Sequence, residues 1–359
     1  MSKNGKLCFG VVGTGSIGKI HLQQLSMIPD EVIISAVTDV FEPSAQKVAA
    51  EFNVPRVCKT YTEMLEDKDI DAVIIAVPNK YHAPIAIDAL KAGKHIMLEK
   101  PMAFDVRSAK DIVRAQKEYK KIVMVPHQMR WNWLSREIKQ NVEAGELGRI
   151  YYAKTGWLRR KGIPGWGSAF TRKEESGGGA LIDIGVHMID LALYLMGNPK
   201  PVSVFGSTYA ELGQNKIGLG TWGTRDMSGW FDVDDLATAL IRMEDGSMLS
   251  LEVSWAMHGD IGESNPWLYL FGTEGGAQMT ENEGKFYTEG FDRSITVDIE
   301  KPDNTEDSRA AMLRHFIDCV REGKESISNQ MTGLTNNLIL DAIYQSSQTK
   351  REVILDWNL

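Results

Sequence analysis

Short runs of β-branched and aliphatic residues recur through the first third of the chain, each separated from the next by a stretch with helical spacing. Between residues 6 and 125 the runs are LCFGVVG, EVIISAVTD, DAVIIAV, KHIML and KIVMV. Strands that alternate with helices predict a parallel sheet with crossover connections. Because the runs are apolar at successive positions, we expect helices on both faces of this sheet. The pattern predicts a doubly wound α/β domain over residues 1–127.

From residue 128 onward the strands become longer and alternate in polarity. IYYAKTGWL is one such strand, and DLATALIRM and MLSLEVSW flank a turn at Asp245-Gly246. This pattern predicts an antiparallel sheet, and two amphipathic helices at about 306–322 and 331–348 follow it. All nine tryptophans lie in this half, where they either thicken the core or line a sugar-sized pocket. We predict an α+β domain over residues 128–359, with a ligand cleft where the halves meet.

Composition restricts the classes of function. A chain of 359 residues with 43% hydrophobic and 25% charged residues is typical of a soluble two-domain protein. Its net charge of −8 argues against nucleic-acid and anionic-membrane partners. Cys8, Cys58 and Cys319 are too scattered for a disulfide framework or a metal site. With no secretory signal and no membrane-length apolar run, we expect a cytoplasmic protein.

A glycine motif, VVGTGSIGKIH, connects the first strand to the first helix. Gly13, Gly15 and Gly18 form the GxGxxG spacing that lets backbone N–H groups approach a pyrophosphate at a helix N-terminus. Asp39 ends the second strand, where a carboxylate accepts a hydrogen bond from the ribose 2′-hydroxyl and repels a 2′-phosphate. The motif therefore predicts a dinucleotide site and favours NAD over NADP. The predicted loop contacts are Gly13, Thr14, Gly15, Ser16, Ile17 and Gly18.

A phosphate-binding P-loop is the competing interpretation of this motif. Gly13, Gly18 and Lys19 satisfy most of the GxxxxGK[ST] pattern. The final position of that pattern must offer a hydroxyl to Mg²⁺, and Ile20 has none. We therefore favour the dinucleotide interpretation.

The segment SGGGALIDIGVHMIDLALYLMG, residues 176–197, predicts an apolar helix that nevertheless carries Asp183, His187 and Asp190. Their spacing of four and three places the side chains on one helix face. They could satisfy one another in a core, bind a metal, or perform acid–base chemistry. No other His or Cys cluster completes a zinc site, and histidine suits proton transfer near neutral pH. We favour catalysis, with all three side chains facing the nicotinamide and Asp190 acting through its neighbours.

The stretch HIMLEKPMAF begins with the apolar run HIML. Glu99, Lys100 and Pro101 therefore follow a parallel strand, at the edge where such sheets bind ligands. Together with AVPNKYH, the glycine motif and the DxxxH pair in GGGALIDIGVHMIDLALYLMG, this stretch resembles the Gfo/Idh/MocA family of sugar and cyclitol dehydrogenases. The resemblance runs nearly end to end. It implies a Rossmann domain followed by an α+β domain with a large, open-faced, mostly antiparallel sheet. Such a sheet exposes apolar surface, so we expect a homo-oligomer, a dimer or a tetramer.

The resemblance also implies roles for individual residues. Lys100, Asp183 and His187 form the catalytic set, and Asp183 and His187 also bind the substrate. We predict that His187 removes the hydroxyl proton, Asp183 orients the substrate, and Lys100 hydrogen-bonds the reacting oxygen. Besides the glycine loop, the predicted cofactor contacts are Asp39, Val77, Pro78, Asn79, His82, Glu99, Lys100 and Gln128.

Three segments are less constrained by the family pattern. VPHQMRW departs from it, which leaves the roles of Gln128 and Arg130 open; we assign Arg130 to the substrate. GWLRRKGIPGWG is either an exposed basic loop or a contact for a hydroxylated ring or an anionic substituent. Its candidates are Trp157, Arg159, Arg160, Lys161 and Trp166, of which we assign Arg160 and Trp166 to the substrate. Residues 212–233 are too long for a turn, and we expect them to cover the pocket or a partner subunit. An NAD-using glycosidase and a dinucleotide-sensing regulator are the alternative functions.

Overall fold

The computed structural model describes residues 5–259, 265–281 and 283–359. They fall into two compact units. The first unit comprises the chain up to Gln128, together with Glu306–Leu334 and Leu359. The second unit comprises Met129–Thr305 and Thr335–Asn358.

The first unit contains a parallel sheet of five strands. Its strands are β1 (Leu7–Val12), β2 (Val32–Thr38), β3 (Ala72–Ile75), β4 (His95–Leu98) and β5 (Val123–Met124). Its helices are α1 (Ser16–Ser26), α2 (Glu42–Glu51), α3 (Tyr61–Glu66), α4 (His82–Lys91), α5 (Val106–Tyr119) and α9 (Ser308–Glu322). Every residue of β1 and of β3 is buried, as the continuous apolar runs predict.

The strand order of this sheet is β2-β1-β3-β4-β5. The chain leaves β1 toward β2 and then returns to the other side of β1 to form β3. Neighbouring crossovers therefore diverge between β1 and β3, which is the switch point where open α/β sheets bind ligands. The sheet thus directs attention to the loops after β1 and β3.

The second unit is built on a nine-stranded, mostly antiparallel sheet of order β13-β12-β11-β10-β6-β9-β8-β7-β14. The strands are β6 (Ile150–Leu158), β7 (Pro201–Tyr209), β8 (Leu236–Met243), β9 (Met248–Ser254), β10 (Trp267–Gly272), β11 (Gly276–Met279), β12 (Gly284–Gly290), β13 (Arg293–Asp298) and β14 (Val353–Ile354). Strands β6 and β9 pair in parallel. The helices are α6 (Trp133–Glu143), α7 (Lys173–Ser176), α8 (Val186–Leu195) and α10 (Gln330–Thr349), the last of which begins within the first unit.

The apolar segment Lys173–Leu195 is long enough and apolar enough to span a membrane, but 89% of its apolar window is buried inside the protein. It is therefore a core element of the second unit. The segment is not one regular helix, because a wider π-helical turn, Leu181–Gly185, precedes α8. Among the described residues, Lys173–Leu195 is the one helical segment that is long enough and apolar enough to span a membrane.

The predicted assignment of everything after residue 127 to the second domain differs from the structure. Helix α9 belongs to the first unit, where the rings of Phe316 and Phe9 lie 6.0 Å apart between centroids. Arg314 on the same helix donates to Glu31 at 2.9 Å. Amphipathic spacing indicates that a helix has a buried face, but it does not indicate which core that face joins.

Candidate active site

The three glycines of the first loop are required for different reasons. Gly13 has a φ of +95°, and a Cβ there would lie 2.2 Å from the carbonyl oxygen of Ala76. A Cβ on Gly18 would lie 2.0 Å from the carbonyl oxygen of Gly13. A Cβ on Gly15 would meet nothing within 4 Å. Packing within the protein therefore explains Gly13 and Gly18, whereas the open space at Gly15 is available to a ligand.

The first turn of α1 is suited to a phosphate. Its N-cap is Gly15, which has no side chain to accept from the free N–H groups of that turn. No acidic residue occupies the turn either. Together with the open space at Gly15, these free donors fit the pyrophosphate of a dinucleotide.

Asp39 is tied to the glycine loop. Its Oδ2 accepts from the Thr14 backbone N–H at 2.7 Å and from the Thr14 hydroxyl at 2.9 Å. Its Oδ1 accepts from the Phe41 N–H at 2.9 Å. A carboxylate oxygen can accept more than one hydrogen bond, so Oδ1 retains capacity for a ribose hydroxyl. The contact with Thr14 was not predicted, and it fixes the carboxylate against the loop that it serves.

Buried polar groups organise the loops after β3 and β4. The His82 ring is fully buried, with Nδ1 2.9 Å from the Pro101 carbonyl oxygen and Nε2 2.8 Å from that of Val77. A neutral ring donates to one of these oxygens at a time. Burial lowers the pKa of His82, although both carbonyl contacts oppose the shift. His82 therefore connects the Val77 loop to the loop that carries Lys100.

Glu99 is held from within the protein. Its Oε1 lies 2.7 Å from Nε2 of His21, and its Oε2 accepts from the Lys100 backbone N–H at 3.2 Å. Burial raises the pKa of Glu99, but the His21 hydrogen bond and the charge of Lys100 outweigh burial, so the net shift is downward. The carboxylate thus stays ionised beside Lys100.

The other predicted cofactor contacts lie in or beside the same loops. Lys100 is half-buried after β4 and has interactions beyond its backbone hydrogen bond to Glu99. Val77 and Asn79 are also half-buried, and Pro78 is exposed. Gln128 opens a short 3₁₀ turn, Gln128–Trp131. The first unit thus gathers the glycine loop, the Val77 loop and the Lys100 loop at the carboxyl ends of neighbouring strands.

In the second unit, the buried carboxylate of Asp234 caps the segment that bears the predicted catalytic pair. It accepts from the N–H groups of Gly179 and Leu181, each at 2.8 Å, and from the Tyr344 hydroxyl at 2.6 Å. A Cβ on Gly178 would lie 2.0 Å from the Tyr344 hydroxyl oxygen, and one on Gly179 would lie 1.9 Å from the Asp234 carbonyl oxygen. The glycine run therefore permits the close approach of this cap, which sequence reasoning missed.

Asp183 and His187 lie among indole rings. Asp183 is at the centre of the π-helical turn, and its Oδ2 accepts from Trp255 Nε1 at 3.0 Å. The ring centroid of His187 is 6.5 Å from that of Trp157. π-Helical turns occur frequently at functional sites. The second unit therefore places one indole beside each member of the predicted acid–base pair, Trp255 beside Asp183 and Trp157 beside His187.

Asp190, predicted to face the cofactor with Asp183 and His187, is buried in an ion pair instead. It accepts two hydrogen bonds from Arg130, at 2.7 and 2.6 Å, and one from Asn336 at 3.1 Å. The side chains of Arg130 and Asp190 are each 1% exposed, and the Arg130 guanidinium lies 4.8 Å from the Tyr194 ring centroid. This arrangement corrects the expectation for Asp190 and favours a structural role for Arg130 over substrate contact.

The basic loop after β6 also differs from expectation. Trp166, predicted to contact substrate, is 4% exposed and donates through Nε1 to the Gly213 carbonyl at 2.7 Å. Arg160 is exposed. By contrast, Arg159 stacks on Trp157, with 4.3 Å from its guanidinium carbon to the ring centroid. Arg159 follows β6 directly and is two positions beyond Trp157, and this alternation was the signal that could have favoured Arg159 over Arg160.

Residues 212–233, whose role was open, join the loop after β6. Backbone hydrogen bonds connect Gly162 and Ile163 to Gly218, Gly165 to Trp222, and Asp226 to Trp166. Asp235 anchors the start of the segment by accepting from the Leu212 and Gly213 N–H groups at 2.7 and 2.8 Å. The two segments therefore form one paired lobe. Whether it covers a pocket or a partner subunit stays a prediction.

Comparison with known proteins agrees with this architecture. Residues 7–127 match the family model described as "Oxidoreductase family, NAD-binding Rossmann fold", and residues 135–278 match "GFO/IDH/MocA C-terminal domain". D-glucoside 3-dehydrogenase of Escherichia coli (strain K12) is 30% identical over 353 residues, which is 96% of each chain. The chain belongs to the Gfo/Idh/MocA family. The first unit of this Gfo/Idh/MocA oxidoreductase is accordingly its NAD-binding Rossmann domain.

Two further relatives are similar to this chain over almost their whole length. The scyllo-inositol 2-dehydrogenase (NAD(+)) of Bacillus subtilis (strain 168) is 28% identical over 354 residues, covering 96% of this chain and 95% of the relative. A solved structure of levoglucosan dehydrogenase in complex with NADH and levoglucosan has a TM-score of 0.86 and 25% identity, covering 98% of this chain and 99% of the other.

Within the described residues, no group of three His, Cys, Asp or Glu side chains could hold a metal ion.

Proposed function

We propose that the protein is a dehydrogenase that oxidises a secondary hydroxyl of a pyranoside or cyclitol with NAD. When bound, NAD supplies the acceptor for the hydride of the carbinol carbon. The free donors at the start of α1 and the open space at Gly15 support a dinucleotide there. The names of the glucoside, inositol and levoglucosan dehydrogenases support a sugar or cyclitol substrate.

In this proposal the proton is handled by side chains of the chain itself. His187 accepts the hydroxyl proton, and Asp183 orients the substrate and stabilises the resulting imidazolium. Lys100 donates a hydrogen bond to the reacting oxygen and so favours the developing alkoxide. The single observation that supports this assignment best is the Asp183–His187 pair flanked by the indoles of Trp255 and Trp157.

The test is turnover with NAD or NADP on a panel of inositols, free sugars and methyl glycosides, followed at the NADH absorbance band. We expect NADH to accumulate with at least one cyclic polyol. His187→Ala should bind NADH with unchanged affinity and lose roughly 100-fold or more in kcat. Aglycone release without net NADH would instead identify a glycosidase, and dinucleotide binding without turnover on any compound would identify a sensor.

We further propose that the enzyme is a homo-oligomer that associates through the open face of the nine-stranded sheet. Phe205, Leu240, Phe271 and Tyr287 are 51%, 44%, 38% and 38% exposed on this face. On the same face Lys154 and Glu252 form an ion pair at 3.7 Å. An apolar, locally neutral surface suits a second copy of itself. Light scattering after gel filtration should give a multiple of the 40.0 kDa chain mass, and Leu240→Lys should reduce it.

A cytoplasmic location is part of the same proposal. Cys8, Cys58 and Cys319 are all buried and all free thiols, which suits a reducing compartment. Cell fractionation tests this location directly.

A further inference from the structure

Arg159 lies one ring away from the predicted catalytic base. Its guanidinium carbon is 4.3 Å from the centroid of the Trp157 ring, and that ring is 6.5 Å from the ring of His187. Stacking on an indole keeps the planar guanidinium in a fixed orientation. The Trp157 ring therefore neighbours both a flat cation and the imidazole of the predicted base.

The backbone and stem of Arg159 are also fixed. Its N–H donates to the carbonyl and the hydroxyl of Ser254 at 3.0 and 3.1 Å, and its carbonyl accepts from that hydroxyl at 3.1 Å. A Cβ on residue 162 would lie 2.5 Å from Arg159 Cδ, so Gly162 leaves the space that the stem fills. Local packing thus holds the side chain in position.

The guanidinium head has donors to spare. It carries five N–H donors, yet within residues 5–259, 265–281 and 283–359 no oxygen accepts a hydrogen bond from it. Arg159 as a residue is half-buried, and burial lowers its pKa although the charge of Asp183 opposes the shift. A partly desolvated guanidinium without a hydrogen-bond acceptor is unusual unless another molecule supplies one.

We infer that Arg159 is a specificity-determining residue that donates a forked pair of hydrogen bonds to two adjacent oxygens of the substrate. Two vicinal hydroxyls of a neutral ring and the carboxylate of a sugar acid are the two sources of that oxygen pair. This inference rests on the proposed function. Of the basic residues predicted in this loop, it selects Arg159 over Arg160, because Arg160 is exposed whereas Arg159 stacks on Trp157, the indole that neighbours His187.

The test compares Arg159→Met, Arg159→Lys and Arg160→Met with Arg136→Met, an exposed arginine on α6, as the matched control. Titration calorimetry measures NADH affinity and sugar affinity of the NADH-loaded enzyme, and kinetics give KM and kcat. Arg159→Met should raise the sugar Kd and KM roughly 10- to 100-fold with NADH affinity unchanged, since hydrogen bonds from a charged donor are lost. Arg159→Lys should recover only part, because an ammonium lacks the fork.

A methyl glucoside and the corresponding glucuronide distinguish the two oxygen sources. Equal losses for both indicate the hydroxyl pair, and a larger loss for the glucuronide indicates the carboxylate. Unchanged sugar affinity in Arg159→Met, or a larger loss in Arg160→Met, overturns the inference while wild-type turnover still supports the dehydrogenase. A wild type that binds none of the panel overturns both proposals.

Discussion

Replacing Asp190 with asparagine tests whether the predicted polar stripe serves catalysis or stability. The amide introduced by Asp190→Asn would still offer one acceptor oxygen, but the Arg130 guanidinium would lose its counter-charge in a site where both side chains are 1% exposed. Removing one partner of a buried ion pair costs about 3–5 kcal/mol, because the remaining charge is left uncompensated. We therefore expect a large loss of stability.

The expected size follows from the unit in which the pair lies. The second unit holds about 200 residues, and for domains of that size 1 kcal/mol corresponds to roughly 2–4 °C in Tm. Asp190→Asn should therefore lower the Tm of this unit by roughly 6–20 °C. All nine tryptophans lie in the second unit, so intrinsic fluorescence during heating or urea titration reports on it selectively.

Two comparisons make the result decisive. Asp183→Asn should do the reverse, reducing kcat strongly with a smaller change in Tm, because Asp183 is only half-buried. The double variant Arg130→Met/Asp190→Met should regain stability relative to Asp190→Asn, because no charge is left buried. An unchanged Tm together with lost turnover in Asp190→Asn would refute the structural role and return Asp190 to the catalytic set.

Three further outcomes are expected. Gly15→Ala should change the free energy of unfolding by less than about 0.5 kcal/mol yet raise the NADH Kd at least roughly tenfold in calorimetry, because the new methyl group enters space left for a ligand. Tyr344→Phe should lose about 1.5–3 kcal/mol of stability in urea unfolding, since the 2.6 Å hydrogen bond goes to a buried carboxylate. Because the pKa of Glu99 is lowered in the folded state, its ionisation contributes to folding stability above its ordinary pKa of 4.5. This contribution is lost as the pH falls through the lower folded-state pKa. The difference in free energy of unfolding between wild type and Glu99→Gln should therefore narrow in acid.

The strand and helix pattern of the first unit could be predicted from sequence because each segment keeps the hydrophobic pattern of a strand or of a helix over its whole length. The five apolar runs became the five strands of one parallel sheet, and the glycine motif fell between β1 and α1. Helix α9 was also predicted, but the hydrophobic core that it joins, that of the first unit, was not. Which sheet a helix covers depends on contacts such as Phe316 with Phe9, which are distant in sequence.

The polar stripe shows a different limit. Periodicity predicts that Asp183, His187 and Asp190 share a helix side, but it shows neither the π-helical turn at Leu181–Gly185 nor what lies opposite each turn. Asp190 is seven residues beyond Asp183, roughly 10 Å along a helix axis, and there Arg130 pairs with its carboxylate. One helical segment thus borders two indoles at its start and a buried ion pair further along.

The two residues most informative about ligands are those whose presence the protein's own packing does not explain. Gly13 and Gly18 are glycines because neighbouring carbonyl oxygens exclude a Cβ, whereas the protein places nothing near Gly15. Arg130 has Asp190 as its counter-ion, whereas no described oxygen accepts from the Arg159 guanidinium. In each pair the sequence presents equivalent residues, and only the surroundings separate the one that serves the fold from the one that is left for a bound molecule. By this criterion Gly15 marks the cofactor side and Arg159 marks the substrate side of the proposed reaction.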